Sequence, residues 1–238
     1  IVQIGSALGS TVGQWARVSG AQLRTLVGCG AAAGIAGTFN APVAGALFAV
    51  EVVLGDFAVS EFSPIVISSV LATVVSRHYL GDVPAFVVPP HELVSAWELG
   101  PYVVLGLLAA GVALAFKKLL YGLEDRFEAL PLPDWGLPVV GGLMVGAMAI
   151  RFPEILGVGY EATSAALAGE LTFGLVTVLV LVKLLATSIT LGTGGSGGIF
   201  APSLFLGAMT GSMVGDIAHQ WFPTVTAGRG AYALVGMG

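Results

Sequence analysis

Thr190-Leu-Gly-Thr-Gly-Gly-Ser-Gly-Gly-Ile-Phe-Ala-Pro202 is a run of glycines set inside an apolar stretch. The glycines unwind the chain. Pro202 suits the first turn of a helix, where its missing N–H is not needed. A helix is therefore expected to begin between Ile199 and Pro202 and to run on through residues 203–218, starting deep in a membrane. The first N–H groups of any helix lack an intrahelical partner. The helix dipole places a partial positive charge there, and glycine lets a ligand approach the backbone with no Cβ in the way. The stretch reads as an anion site built without a full cation. A buried lysine or arginine would hold an anion tightly and slow its release, whereas partial charges bind weakly enough for throughput.

The composition around it agrees with a membrane setting. Of 238 residues, 56% are hydrophobic and 10% charged, against roughly 25% charged in an ordinary soluble domain. Mean hydropathy is +0.94. Glycine, at 35 residues, is about twice as frequent as usual. These values exclude a cytosolic enzyme, a disordered tail and a collagen-like fibre, and point to a polytopic α-helical membrane protein with close helix contacts. A net charge of −5 leaves no basic stripe for nucleic acid. Cys29 is the single cysteine, so no internal disulfide and no cysteine metal site is expected; between Gly28 and Gly30 it reads as a small packed residue.

Residues 25–50, 62–76, 99–116, 135–150, 171–182 and 184–215 carry no Asp, Glu, Lys or Arg. A simple spanning helix needs ~20 apolar residues. Several runs are shorter, and two are long but broken by glycine and proline, so short, tilted and half-spanning helices are expected. Interrupted helices at membrane depth are tolerated where the freed backbone is buried in protein or lines a cavity, which places function at the interruptions. The loop 81–97 has Asp82 and Glu92 but no Lys or Arg. The next loop is expected after residue 116, with Lys117, Lys118 and Arg126 in it and with Glu124, Asp125 and Glu128 as a solvated scatter. The positive-inside rule puts that second loop in the cytoplasm and the first outside; snorkelling lysines would give the same orientation. The chain opens at Ile1 without a Met, stops at Gly238 and shows no signal peptide, so it reads as a piece of a longer protein.

Residues 1–16 laid on 203–218 give identical pairs at Gly5/Gly207, Gly9/Gly211, Ser10/Ser212, Val12/Val214, Gly13/Gly215 and Ala16/Ala218, without a gap. Each copy has glycines at i, i+4 and i+8 on one helix face, a surface for close packing. Paired repeats with broken helices are typical of transporters that bind substrate near the midplane.

The segment Gly195-Ser-Gly-Gly-Ile-Phe-Ala-Pro202 resembles the anion-binding segment of the CLC family of chloride channels and proton/chloride exchangers. Gly30-Ala-Ala-Ala-Gly-Ile-Ala-Gly-Thr-Phe-Asn-Ala-Pro-Val-Ala-Gly-Ala-Leu-Phe-Ala-Val-Glu51 is similar to that family's next helix pair. The match runs nearly end to end. The resemblance implies a homodimer with a separate pore in each subunit, two inverted repeats, and chloride held by backbone N–H groups at helix N-termini. It implies that Gly198, Ile199, Phe200 and Ala201 bind chloride, the amides of Ile199 and Phe200 making the contact. Gly195, Ser196, Gly197 and Pro202 would shape the loop, and Phe39 and Phe48 would line the pore. The dimer surface would include the helix over 41–54 and the one over 62–76. The internal repeat places the family's gating Gly-x-Glu-x-Pro, here matched by Gly198-Ile-Phe-Ala-Pro202, just upstream of Ile1.

Glu51 closes a long uncharged run on a helix expected to start near Asn40-Ala41-Pro42. It is either an intramembrane carboxylate on a proton path or a helix-end residue at the interface, with Asp56 close behind. Family exchangers often carry a proton-relay glutamate at the next position, which here is Val52; this departure favours a passive channel. Gly194-Gly-Ser-Gly-Gly198 also matches the nucleophile elbow and resembles in part an intramembrane serine protease motif. Such a serine needs a histidine in reach, and His219 stands roughly 30 Å of helix away, while His78 and His91 flank a polar loop. The loop lacks the lysine of a phosphate-binding motif, and the three histidines have no metal-ligand spacing.

The expected protein is an all-α polytopic membrane domain of CLC type, truncated at both ends. Residues 1–79 would be the C-terminal part of a first repeat and 98–238 most of a second. Its expected function is selective chloride permeation, with proton-coupled exchange as the alternative and intramembrane proteolysis as a remote one. It is expected not to be an enzyme and to need no cofactor or metal. Chloride, lipid bilayer and a second subunit are the expected partners, and a bacterial inner or plasma membrane the expected location.

Overall fold

The structure is a computed structural model. It describes residues 1–55, 59–86, 88–91, 94–133 and 135–238, with 59–61 as backbone only. Asp56 and Glu92, singled out above, lie outside the described residues. Ten α-helices are described: α1 (Val2–Trp15), α2 (Gly20–Phe39), α3 (Pro42–Phe48), α4 (Val59–Leu80), α5 (Leu99–Glu128), α6 (Gly136–Arg151), α7 (Tyr160–Leu167), α8 (Phe173–Gly192), α9 (Phe200–Trp221) and α10 (Arg229–Met237). Among the described residues there is no strand. The chain divides into two compact units, Ile1–Ala85 and Phe86–Gly238.

Local chemistry sets the boundaries. In the first unit Ser19 and Gln22 form a reciprocal capping box at the start of α2. Asn40 closes that helix in the left-handed region at φ 56°, a conformation asparagine tolerates better than most residues. Pro42 then opens α3 as its first residue, as the Asn40-Ala41-Pro42 sequence led one to expect. Beyond Phe48 the helix widens into a π-helical stretch, Ala49–Leu54, closed by Gly55 at φ 67°. Glu51 and Val52 both sit in that stretch and both are exposed.

The packing of the first unit is built on carbonyls. A Cβ at Gly5 would overlap the Gly30 carbonyl, 2.8 Å from its carbon, and one at Gly9 would stand 2.9 Å from the Leu26 carbonyl carbon. The backbones of α1 and α2 therefore touch directly, as small-residue stripes allow. From the other side α4 sends hydroxyls onto α2. Ser68 Oγ donates to Cys29 O at 3.0 Å, Thr73 Oγ1 to Ala36 O at 3.4 Å and Ser76 Oγ to Gly37 O at 2.6 Å. Ser69 Oγ donates to Pro42 O at the start of α3. These bonds give the helices directional contacts that apolar side chains alone do not supply.

The second unit repeats the glycine contact. Gly207 and Gly211 on α9 meet the carbonyls of Gly236 and Tyr232 on α10, with hypothetical Cβ atoms 2.9 and 2.7 Å from the carbonyl carbons. The pairs Gly5–Gly30 and Gly9–Leu26 thus have counterparts in Gly207–Gly236 and Gly211–Tyr232. The chain between the paired positions is longer in the second unit, because α9 runs on past the residue that overlays Trp15 and the connection after it is also longer.

At the centre of the second unit stands α8, whose Val176, Leu179, Val180 and Leu184 are buried with Phe205, Leu206 and Met209 of α9. Elsewhere apolar side chains face outward: Leu107 is 71% exposed, Leu143 71% and Ile150 89%. Helices that are apolar on the outside as well as within suit a lipid solvent. Two described segments, Ala96–Glu128 and Phe173–Gly192, are long and apolar enough to cross a membrane.

One expectation is corrected. Lys117, Lys118 and Arg126 do not lie in a loop, nor do Glu124, Asp125 and Glu128; all belong to α5, which runs unbroken to Glu128. Between Phe116 and Pro131 the sequence has one glycine, no proline and many strong helix formers, so nothing stops the helix where the charges begin. A 30-residue helix is about 45 Å long, half again the ~30 Å hydrocarbon core. Charged last turns on such a helix reach past the lipid.

Candidate functional site

The glycine run joins the end of α8 to the start of α9, and its glycines divide the work. Thr193 caps α8, its Oγ1 donating to Ile189 O at 2.8 Å. Gly194 takes φ 75° and donates its N–H to Leu191 O at 2.9 Å, while Gly195 N–H donates to Thr190 O at 2.8 Å. This paired closure is a Schellman motif, which needs the left-handed residue that glycine supplies. A Cβ at Gly195 would stand 2.7 Å from Thr190 O. Gly194 and Gly195 therefore serve the turn. Gly198 is different: a Cβ there would meet nothing within 4 Å.

Ile199 is the N-cap of α9, and no side chain caps the helix there. No acidic residue stands in the first turn. Ser203 makes the first bonds back to Ile199 O, by its N–H at 3.0 Å and its Oγ at 2.8 Å. Pro202 lies within the first turn and has no N–H to offer. Ser196, Gly197, Gly198, Ile199 and Phe200 are exposed; Gly195, Ala201 and Pro202 are partly buried. The structure thus brings the eight residues 195–202 together as a glycine turn, residues 195–198, followed by the N-cap and first turn of α9. Phe39, at the end of α2, and Phe48, at the end of α3, are half-buried in the first unit, and Glu51 of the same unit is exposed.

The base of the loop is braced. Gly141 of α6 packs on Thr193, where a Cβ would stand 2.9 Å from the threonine Cβ. Gly192 packs on the backbone of Leu123 and Glu124 in α5. Beside the loop a groove of about 290 Å³ runs between α5 and α9, with Lys117, Tyr121, Ile199 and Ser203 at one end and Ala109 and Thr210 at the other.

The serine-nucleophile reading finds no geometry. His219 sits near the far end of α9, where its Nδ1 is 3.2 Å from Thr226 O. Nineteen residues of helix, about 28 Å of rise, separate it from the end where Ser196 lies. His91 lines a polar cavity of about 420 Å³ with His219, Asp216 and Arg229, again at that far end. Among the described residues no group of three His, Cys, Asp or Glu is placed to hold a metal.

The family model for voltage-gated chloride channels matches residues 1–238, the whole chain. The chain belongs to the voltage-gated chloride channel family. A ClcB-like chloride channel protein of Ralstonia nicotianae is 38% identical over 246 residues, covering 100% of this chain and 56% of that protein. Chloride channel protein CLC-f of Arabidopsis thaliana is 36% identical over 232 residues, 89% of this chain and 30% of its own length. The H+/Cl− exchange transporter ClcA of Vibrio cholerae is 31% identical over 244 residues, 100% of this chain and 52% of its own. The chain therefore spans about half the length of these bacterial members. Two solved structures share its fold at 24% identity. One, a slow cyanobacterial Cl−/H+ antiporter, superposes with a TM-score of 0.84 over 99% of this chain and 56% of its own. The other, a CLC-type fluoride/proton antiporter, gives 0.80 over 99% and 58%. The all-α, CLC-type fold expected from the sequence is the fold observed.

Three buried charged residues among those described escaped the sequence reading of this family member: Glu98, Lys183 and Asp216, the last paired with Arg229. Glu98, fully buried at the start of α5, accepts from Val94 N–H at 3.1 Å and from Ala227 N–H. Lys183, midway along α8, is 2% exposed. The signal for Lys183 was present, since it is the one charge between residues 171 and 215, and a lone charge in an apolar segment is a functional candidate by default.

Proposed function

We propose that this chain forms part of the membrane domain of a chloride transport protein and that chloride passes at the start of α9. The observation that carries the reading is the uncapped N-terminus at Ile199, reached through a glycine turn whose Gly198 faces open space. The main-chain amides at Ile199, Phe200 and Ala201 offer partial positive charge to a monovalent anion, and residues 195–198 and Pro202 set the backbone path. The chloride-transporting relatives support the choice of anion. Phe39 and Phe48 are proposed as pore-lining. Residues 1–79 and 98–238 are proposed as parts of two repeats, in keeping with the shared glycine–carbonyl contacts of α1 with α2 and α9 with α10. The outward apolar faces support a multi-pass place in a bacterial inner or plasma membrane, with lipid as neighbour. A homodimer is proposed from the family pattern, with the helices over 41–54 and 62–76 in its surface.

Within this reading the channel is favoured over the exchanger by one residue. Val52 stands in the π-helical stretch beside Glu51, and a valine cannot carry a proton. The full-length protein in liposomes should release chloride down its gradient without driving protons uphill. Proton movement in fixed ratio to chloride, recorded with an external pH electrode, would replace the channel with the exchanger. Absence of chloride flux altogether would remove the reading.

A further inference from the structure

Lys183 Nζ donates to Ile155 O at 2.8 Å and to Gly157 O at 3.0 Å, and lies 5.0 Å from the centroid of the Phe205 ring. These partners satisfy the ammonium without neutralising it, because carbonyls and an aromatic ring carry no net charge. Among the described residues no carboxylate pairs with it; the ion pairs there are Arg77–Asp82 and Asp216–Arg229. A full positive charge is therefore locked inside the second unit. Phe205 comes five residues after α9 begins, an axial rise of about 7.5 Å, so the ammonium stands on the order of 10 Å behind the first turn of the helix.

The position is held rigidly. The Ile155 and Gly157 carbonyls belong to the connection between α6 and α7, and Gly159 on that connection has φ 81° and packs its backbone on the Phe205 ring. A side chain at Gly159 would press on the ring, with a Cβ 2.6 Å from Phe205 Cδ2. Lysine, connection and ring thus interlock, and the charge keeps a fixed distance from the glycine turn.

We infer that Lys183 is a non-contacting cation for the anion site at residues 195–202, raising its affinity from behind the helix. The inference rests on the reading that this loop binds chloride. The ammonium and the N-terminus of α9 have the same sign towards the loop, so their potentials add. A unit charge roughly 12 Å away at an effective dielectric of about 20 changes an anion's affinity by about tenfold. Salt screens it little, since the charge is buried. A cation set back in this way attracts the ion without forming the tight contact that would retain it.

Chloride, bromide and nitrate titrations by calorimetry on the full-length protein in detergent test this. Lys183→Gln keeps a donor for the two carbonyls and loses the charge; it should weaken all three anions by the same factor, about tenfold. Lys183→Arg should keep affinity within about twofold of wild type, a twofold change being small beside the tenfold step. Unequal changes among the three anions would mean that loop geometry had shifted, and would overturn the inference. Unchanged affinity in Lys183→Gln with a lowered melting temperature would overturn it too, leaving the lysine a purely structural role. Should Lys183→Gln fail to fold, loss of binding in a folded Lys183→Arg overturns it and retention supports it. Wild-type protein that binds no chloride fails the underlying reading instead, a separate and recognisable result.

Discussion

Gly198→Leu abolishes chloride flux while the protein still folds. The two halves of this expectation come from one feature: a Cβ at Gly198 meets nothing within 4 Å, so the added side chain does not collide with its surroundings. The backbone there does not use the left-handed region, unlike that of Gly194, so leucine brings no conformational strain. What leucine does is fill the space in front of the Ile199 amide and place a branched apolar group where the anion must approach. Desolvating an anion against hydrocarbon removes the binding that partial charges supply. Liposome flux should fall to the level of protein-free vesicles, while gel-filtration profile and melting temperature stay near wild type. Gly195→Leu makes the contrast. There the Cβ meets Thr190 O at 2.7 Å within the turn, so loss of flux should come with loss of stability. Wild-type flux in Gly198→Leu would show that the ion does not pass this residue.

Gly211→Val prevents stable folding. A Cβ on Gly211 would stand 2.7 Å from the carbonyl carbon of Tyr232 and 2.8 Å from the Ala233 Cα. These are backbone atoms, so no rotamer change relieves the overlap; α9 and α10 must separate. Separation takes Tyr232, which is fully buried, out of its packing and draws out the Asp216–Arg229 ion pair that ties the same two helices. A penalty of about 3 kcal/mol or more follows from overpacking at a fixed backbone. Valine's better helix propensity than glycine offsets only about a few tenths of a kcal/mol of this. Gly106→Ala and Gly111→Ala on α5 are the controls, for a Cβ at either meets open space, and each should stabilise by up to about 1 kcal/mol. Thermal unfolding in detergent, read by intrinsic fluorescence, distinguishes these cases. Near-native stability of Gly211→Val would mean that the two helices do not touch as described.

The different legibility of these elements in the sequence has physical causes. The start of α9 was readable because glycine and proline act locally: a Schellman closure needs Gly194, and a first turn accepts Pro202. The α3 start was readable for the same reason at Asn40 and Pro42. The likeness of α1 to α9 showed as six identities in an ungapped overlay, but the matching glycine–carbonyl contacts of α2 and α10 did not show there. Helix α9 runs on past the residue that overlays Trp15 and the connection after it is longer, so an ungapped overlay is out of register by α10. The end of α5 was misplaced because charge was taken as a sign of loop, whereas charged residues are good helix formers once the helix has left the lipid. Lys183 was visible as a lone charge in an apolar run, but its partners were not, nor were those of Glu98: they are carbonyls and amides from distant segments, 155 and 157 for the lysine and 227 for the glutamate.

The central claim is that a halide rests against main-chain amides at the beginning of α9. Crystals of the full-length protein soaked in bromide, with anomalous differences recorded at the bromine edge, address it directly. A peak within hydrogen-bonding reach, about 3.5 Å, of the amides at Ile199, Phe200 or Ala201 is the predicted result. Bromide peaks confined to other surfaces, with none beside residues 198–201, would contradict the account.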